Sequence, residues 1–278
     1  MANKQFTWAK AKAMDWKNYL PPTRPSTSEL AVIEKYFIEL INLNPKKIFK
    51  LAILGCTVEY RSLAHKYGMD VTLIDVSELH YKILSKQFMA YTGPETFLSM
   101  DWRKMQTKEK FDIILGDLVV NMLNTEDRAF LLKNVSNMLA KDGIFISRSW
   151  ITVKNNFSDF ASVVKFVREK YPNVNFYAAT AGSVYPAYIN DTEFADVDRL
   201  KNDLEDLKKK KLISTAEYKY WHDRLKYEIK GISAISMESM DEQLSRFFEI
   251  VGMKEGIDVF ADKFKIYFLK SNYESRKS

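Results

Sequence analysis

The segment that decides the fold begins at Leu51-Ala52-Ile53-Leu54-Gly55-Cys56-Thr57-Val58-Glu59. It continues through Val71-Thr72-Leu73-Ile74-Asp75 and Met100-Asp101-Trp102, and ends at Phe111-Asp112-Ile113-Ile114-Leu115-Gly116-Asp117. Each piece closes a short, mostly apolar run with a glycine, an acid or a polar loop. Strands of this kind alternating with stretches of helical length predict a parallel, doubly wound α/β sheet. Such sheets bind ligands beyond the carboxyl ends of their strands, which is where Gly55, Asp75, Asp101 and Asp117 fall.

Working outward, Ile48–Leu54 reads as a strand covered on both faces, since its apolar residues do not alternate with polar ones. A helix over 59–67 is stopped by Gly68. Strand 70–75 leads to Ser77, an N-cap for a helix bearing Leu79, Ile83, Leu84 and Phe88. Gly93-Pro94 turns the chain into strand 95–99, and strand 111–116 follows. Thr125 is placed to cap a helix with Phe130, Leu131, Val135, Met138 and Leu139. Lys141-Asp142-Gly143 then turns into strand 144–149. Upstream, Ser26 or Ser28 caps an amphipathic helix with Leu30, Ile33, Phe37, Leu40 and Ile41. Beyond Trp150 the pattern becomes helical over 157–170, 193–210 and 215–230, with a loop at 178–190. A helix around 241–251, stopped by Gly252, precedes strands 256–261 and 264–270, whose tight joint Asp262-Lys263 implies an antiparallel pair. The expected segments are 1–47, a helical extension; 48–150, the core; 151–238, a helical insertion; and 239–278, a return to the core.

The chain has 278 residues, of which 46% are hydrophobic and 28% charged. That supports a sizeable core and argues against disorder. The net charge of +6 permits an acidic partner without requiring one. One cysteine, Cys56, rules out an internal disulfide and a paired-cysteine metal site. Three scattered histidines, His65, His80 and His222, give no zinc spacing, and no metal is expected. No apolar run approaches the roughly 20 residues of a membrane span, and the N-terminus lacks a signal-peptide core, so a cytoplasmic protein is expected.

On Gly55, Asp75, Asp101-Trp102 and Gly116-Asp117, the chain resembles the class I S-adenosylmethionine (SAM) methyltransferases. The first turn, Leu54-Gly55-Cys56-Thr57-Val58-Glu59, is similar to a variant with a Leu-Gly-x-Thr-x-Glu motif; Ile53 stands where the family's usual acid would be. The resemblance covers residues 48–150 and extends to 240–270. It implies a Rossmann-like, seven-stranded, mostly parallel sheet with an antiparallel last strand, together with the N-terminal helical extension and the helical insertion. It further implies that Gly55, Thr57 and Glu59 border the cofactor, with Glu59 near its amino group. Asp75 would accept both ribose hydroxyls, and Asp101 and Trp102 would meet adenine. Asp117 would orient the acceptor or take its proton. The family's insertions commonly cover substrate, which makes Arg148, Trp150, Tyr185 and Tyr188 candidate acceptor contacts, alongside the aromatics Trp8, Trp16 and Tyr19. A plain packing role stands beside each of these, and for Arg148 a strand-end salt bridge.

The expected activity is methyl transfer from SAM to a small molecule by direct displacement. Gly116-Asp117 lacks the Asn-Pro-Pro-Tyr sequence used on DNA bases, and no aromatic–basic ribonucleoprotein motif suggests RNA. Two alternatives stay open: a catalytically silent protein of the same fold, and a NAD-dependent dehydrogenase. The latter wants small residues where Thr57 and Glu59 stand, because a dinucleotide pyrophosphate must approach backbone there. Neither the acceptor nor the oligomeric state is legible.

Overall fold

The computed structural model describes residues 16, 19–87, 90–152, 157–189, 194–226, 232–233 and 235–272. The elements run α1 (Thr27–Leu43), β1 (Lys50–Leu54), α2 (Val58–Lys66), β2 (Asp70–Asp75), α3 (Glu78–Gln87), β3 (Glu95–Ser99), β4 (Phe111–Asp117), α4 (Thr125–Met138) and β5 (Leu139–Trp150). Then follow α5 (Phe160–Lys170), α6 (Phe176–Val184), α7 (Val197–Lys209), α8 (Thr215–Leu225), α9 (Met237–Ser245), β6 (Phe248–Lys254) and β7 (Phe264–Ser271).

The seven strands form one sheet in the order β3-β2-β1-β4-β5-β7-β6. β1 to β5 are parallel, and β7 is antiparallel to both β5 and β6. The strand order reverses between β1 and β4, which is the crevice where open α/β sheets hold ligands. The two sheet faces account for the unbroken apolar runs. Leu51 and Ile53 of β1 pack with Ile33 and Phe37 of α1 and with Tyr60 and Leu63 of α2. Ala52 and Leu54 point the other way, into a cluster with Leu131 and Val135 of α4 and Met240 and Leu244 of α9. A third cluster joins α5 to α8 and reaches Leu118, Trp150 and Phe264 at the sheet's carboxyl edge.

α1 starts with a full capping box: Glu29 N–H donates to Ser26 Oγ, and Ser26 N–H to Glu29 Oε2. Of the two serines expected as its cap, Ser26 serves. Ser77 takes the expected role before α3, accepting from His80 N–H at 3.1 Å. Asn124 rather than Thr125 caps α4.

Expectations also fail at two further places in the chain. Residues 178–190 do not form a loop: Asn175 caps α6, and a 3₁₀ turn, Tyr185–Tyr188, continues it. This helix is buried nearly all round, so no amphipathic period betrays it. The strand expected at 256–261 lies instead at Phe248–Lys254, and α9 ends at Ser245. There Phe248 is buried while Glu249 and Val251 are exposed, a period of two. Gly252 lies inside that strand, where the register against β7 slips, and is a bulge residue instead of a helix stop. Among the described residues no helix is long and apolar enough to cross a membrane.

Candidate functional site

β1 ends at Leu54, and Gly55 turns the chain out of the sheet at φ +95°, a conformation open to glycine because it has no Cβ. Its N–H still reaches β2, donating to Ile74 O at 2.8 Å. A Cβ at Gly55 would stand 3.8 Å from Asp75 Oδ2 and 3.7 Å from the Trp102 ring. Three residues singled out in the sequence, following β1, β2 and β3, therefore meet at one point. Trp102 is held there by its indole N–H, which donates to Ile74 O at 2.7 Å.

Asp75 is mostly buried. Its Oδ1 accepts from Ser77 N–H at 2.8 Å, which turns Oδ2 toward Cys56 Sγ at 3.9 Å and His80 Nδ1 at 4.0 Å. Burial pushes the Asp75 carboxyl above its ordinary value, and the Ser77 N–H and Cys56 thiol draw it back. His80 corrects a sequence expectation. Along the chain it is one of three scattered histidines without zinc spacing, yet the first turn of α3 carries its ring back to the end of β2. Cys56, Asp75 and His80 offer ligating atoms all within 4.8 Å of one another, a grouping hidden by their separation along the chain.

Thr57 is buried at the N-terminus of α2, and its hydroxyl caps no backbone N–H there. Glu59, in the first turn, pairs with Arg24 at 3.0 Å. Burial pushes its carboxyl up, against its own backbone N–H and Arg24. Its Oε2 is buried without a partner in hydrogen-bond geometry. Asp101 faces outward, with both oxygens on the Arg103 guanidinium, at 2.6 Å to Nη2. That pairing lowers its pKa.

The β4 end is a buried charge cluster. Arg148, wholly buried on β5, donates to Glu29 Oε1 at 2.7 Å, Asp117 Oδ1 at 2.9 Å and Pro22 O at 2.9 Å. Its guanidinium also lies 4.6 Å from the Phe264 ring centroid. Contact between Arg148 and an acceptor would require breaking this set, and the strand-end salt bridge is the arrangement observed. Burial pushes Asp117 up to about 6, with Arg148 opposing. Next to it, Leu118 has φ 56°, a strained value for a non-glycine residue, of the kind that gathers at functional sites. Asn121 then locks this loop: its amide accepts from Trp150 N–H at 2.8 Å and donates to Trp150 O at 2.7 Å and Ser233 O at 3.0 Å.

Beside Leu118 lies a cavity of about 20 Å³, lined in part by Pro22, Thr23, Trp150, Tyr177, Tyr185 and Phe264. Two of the four expected acceptor contacts, Trp150 and Tyr185, meet there. Tyr188 is instead bonded within the helical layer, donating to Asp203 and accepting from Phe160 N–H at 2.7 Å. Trp16 packs edge-on to Tyr19 at 6.1 Å, and Trp8 lies outside the described residues. Sequence reasoning missed Glu29 as well as His80. Its signal was there, since Ser26-x-x-Glu29 is a capping-box pattern, but that pattern gives no hint of Arg148.

Neither family models nor curated proteins yield a match to this sequence. Solved structures do. A Rhodobacter sphaeroides protein named for the Zn-dependent alcohol dehydrogenases is 17% identical, with a TM-score of 0.58 over 95% of this chain and 98% of its own. A SAM-dependent methyltransferase from Clostridium acetobutylicum ATCC 824 is 12% identical, with a TM-score of 0.51 over 98% and 99%. A Pyrococcus horikoshii OT3 protein is 13% identical, with a TM-score of 0.51 over 92% and 98%. At such identities the likeness is one of fold. A dinucleotide-binding sheet runs 3-2-1-4-5-6, whereas here the antiparallel β7 is inserted between β5 and β6. What this chain shares is the fold of the class I SAM-dependent methyltransferases.

Proposed function

We propose that the chain is a SAM-dependent methyltransferase acting on a small molecule. The observation that carries this is the meeting of Gly55, Asp75 and Trp102 at the strand ends beside the β1–β4 crevice. The residues suit the cofactor. Asp75 has the chemistry to accept from ribose hydroxyls, Trp102 offers a flat face to adenine, and Glu59, in the first turn of α2 with Arg24 on one oxygen, offers negative charge to an ammonium group. An acid at the head of α2 favours a cationic ligand over a pyrophosphate, and so SAM over NAD. When bound, SAM would supply an electrophilic methyl on sulfur.

The chain's own contribution is then alignment and exclusion of water. Arg148 and the Leu118 turn fix Asp117, whose carboxyl burial pushes up to about 6 against the Arg148 pairing, and which is our candidate for holding or accepting the acceptor's proton. Trp150 and Tyr185 would wall the acceptor's place. In its present form that cavity has room for about one water, so acceptor entry requires its lining to open. Calorimetric titration with SAM, S-adenosylhomocysteine and NAD tests the reading. Micromolar binding of both adenosyl compounds, weakened at least tenfold by Asp75→Ala, supports it. Binding of neither, or of NAD alone, sinks it.

A further inference from the structure

We propose that Cys56, Asp75 and His80 form a zinc site at the mouth of the cofactor cleft. We further propose, resting on the cofactor reading above, that the metal and the adenosyl cofactor exclude each other. The three side chains come from the β1 turn, the β2 end and the first turn of α3, and their ligating atoms all lie within 4.8 Å of one another. Zinc binds thiolate at about 2.3 Å and imidazole or carboxylate at about 2.0–2.2 Å. Tetrahedral ligand atoms then stand roughly 3.4–3.6 Å apart. The observed 3.9 Å from Cys56 Sγ to Asp75 Oδ2 and 4.0 Å from His80 Nδ1 to the same oxygen need a contraction of about half an ångström, and the Cys56–His80 edge, within 4.8 Å, one of at most about 1.2 Å.

The surroundings favour a built site over a chance cluster. Ser77 holds Asp75 from behind, its N–H on Oδ1, so that Oδ2 faces both neighbours. Its hydroxyl caps α3 at His80 N–H and so fixes the turn that carries the imidazole. Supporting bonds of this kind orient ligands in metal sites. A sulfur, nitrogen and oxygen set suits zinc and disfavours magnesium or calcium, which want oxygen alone. Three protein ligands would leave a fourth position to water. Binding would release the Cys56 thiol proton to solvent. Because Asp75 Oδ2 is also the oxygen nearest Gly55, a metal there takes the group that the ribose needs.

The test uses Co²⁺ as a spectroscopic stand-in, backed by Zn²⁺ competition, on the whole chain freed of metal. We expect one equivalent of Co²⁺ to give a thiolate-to-metal charge-transfer band that Zn²⁺ abolishes. The band should be absent in Cys56→Ser, and Zn²⁺ affinity should fall about tenfold or more in His80→Ala. His222→Ala, at an exposed histidine, should change nothing. No band in the wild type, or one that survives Cys56→Ser, overturns the site. Added S-adenosylhomocysteine should extinguish the band. If it binds the metal-free protein yet leaves the band intact, mutual exclusion is wrong. If it binds neither form, the cofactor reading fails and takes the exclusion with it, while the band itself still decides the metal site.

Discussion

Replacing Arg148 with methionine tests the buried cluster that positions Asp117. The substitution keeps an unbranched apolar stem, though a shorter one, and removes the cation that among the described residues lies between Glu29 and Asp117. All three side chains are nearly inaccessible, at 0%, 1% and 6%. Wild type holds two carboxylates on one guanidinium, with Pro22 O as a third acceptor; the variant leaves both acids without it. Breaking a buried pair from one side costs about 3–5 kcal/mol, and for a chain of this size each kcal/mol shifts the melting temperature by about 2–4 °C. The expected loss near neutral pH is therefore roughly 6–20 °C.

The pH dependence is the sharper readout. A carboxyl whose folded pKa lies above its unfolded value stabilises the fold at low pH, and that contribution is lost as pH rises through the folded pKa. In the wild type this window for Asp117 runs from the ordinary carboxylate range of 3.8 up to about 6. Without Arg148 the window widens upward, so the deficit should be smallest near about pH 5 and largest near about pH 8. Adding Glu29→Gln and Asp117→Asn removes the two uncompensated charges and should recover most of the loss. Thermal unfolding followed by circular dichroism across that range decides it. A deficit below about 1 kcal/mol, or one indifferent to pH, would refute the buried-cluster account.

Gly55→Ala should cost about 1–3 kcal/mol, because φ +95° is strained for any Cβ-bearing residue. It should also weaken SAM binding beyond that loss, since the methyl enters the space between Asp75 and Trp102; calorimetry beside chemical denaturation separates the two effects. Asn121→Ala strips three buried hydrogen bonds and should destabilise by about 2–4 kcal/mol in urea unfolding. A change under about 0.5 kcal/mol would mean that the loop does not depend on it. Arg103→Ala, by contrast, removes an exposed pair with Asp101 and should change the unfolding free energy by less than about 1 kcal/mol. A larger loss would show that Asp101 is held structurally.

The sheet was legible because its central strands are covered on both faces and punctuated by Gly55, Gly68 and the acid at position 75. An unbroken apolar run with a glycine after it has few other readings. The α6 helix and the β6 strand were not legible, for opposite reasons. α6 is buried almost all round, so the period that identifies a helix is missing. In β6 the eye is drawn to Gly252 as a helix stop, although the register slip against β7 makes it a strand residue. In α6 tertiary burial erased the local signal, whereas in β6 the alternation of buried Phe248 with exposed Glu249 and Val251 was present but masked by the glycine.

The site divides in the same way. Gly55, Asp75 and Trp102 could be found because each follows a strand, and strand ends converge in any parallel sheet. Arg148 also lies near a strand end, but what it does is set by Glu29, 119 residues away on α1, and no pattern along the chain encodes that pairing. His80 is the more instructive case. Five positions separate it from Asp75, and by strand reasoning those positions lead away from the cleft. A helix that starts immediately after a strand reverses that: its first turn folds back over the strand end, so a side chain one turn in returns to the acid it left. For sheets of this kind, residues three to five positions beyond a strand-terminal acid therefore belong among the site candidates whenever a capping serine stands between them, as Ser77 does here. The cap fixes both the acid's orientation and the turn, and the cobalt spectrum of His80→Ala would show whether this chain uses that geometry for a metal.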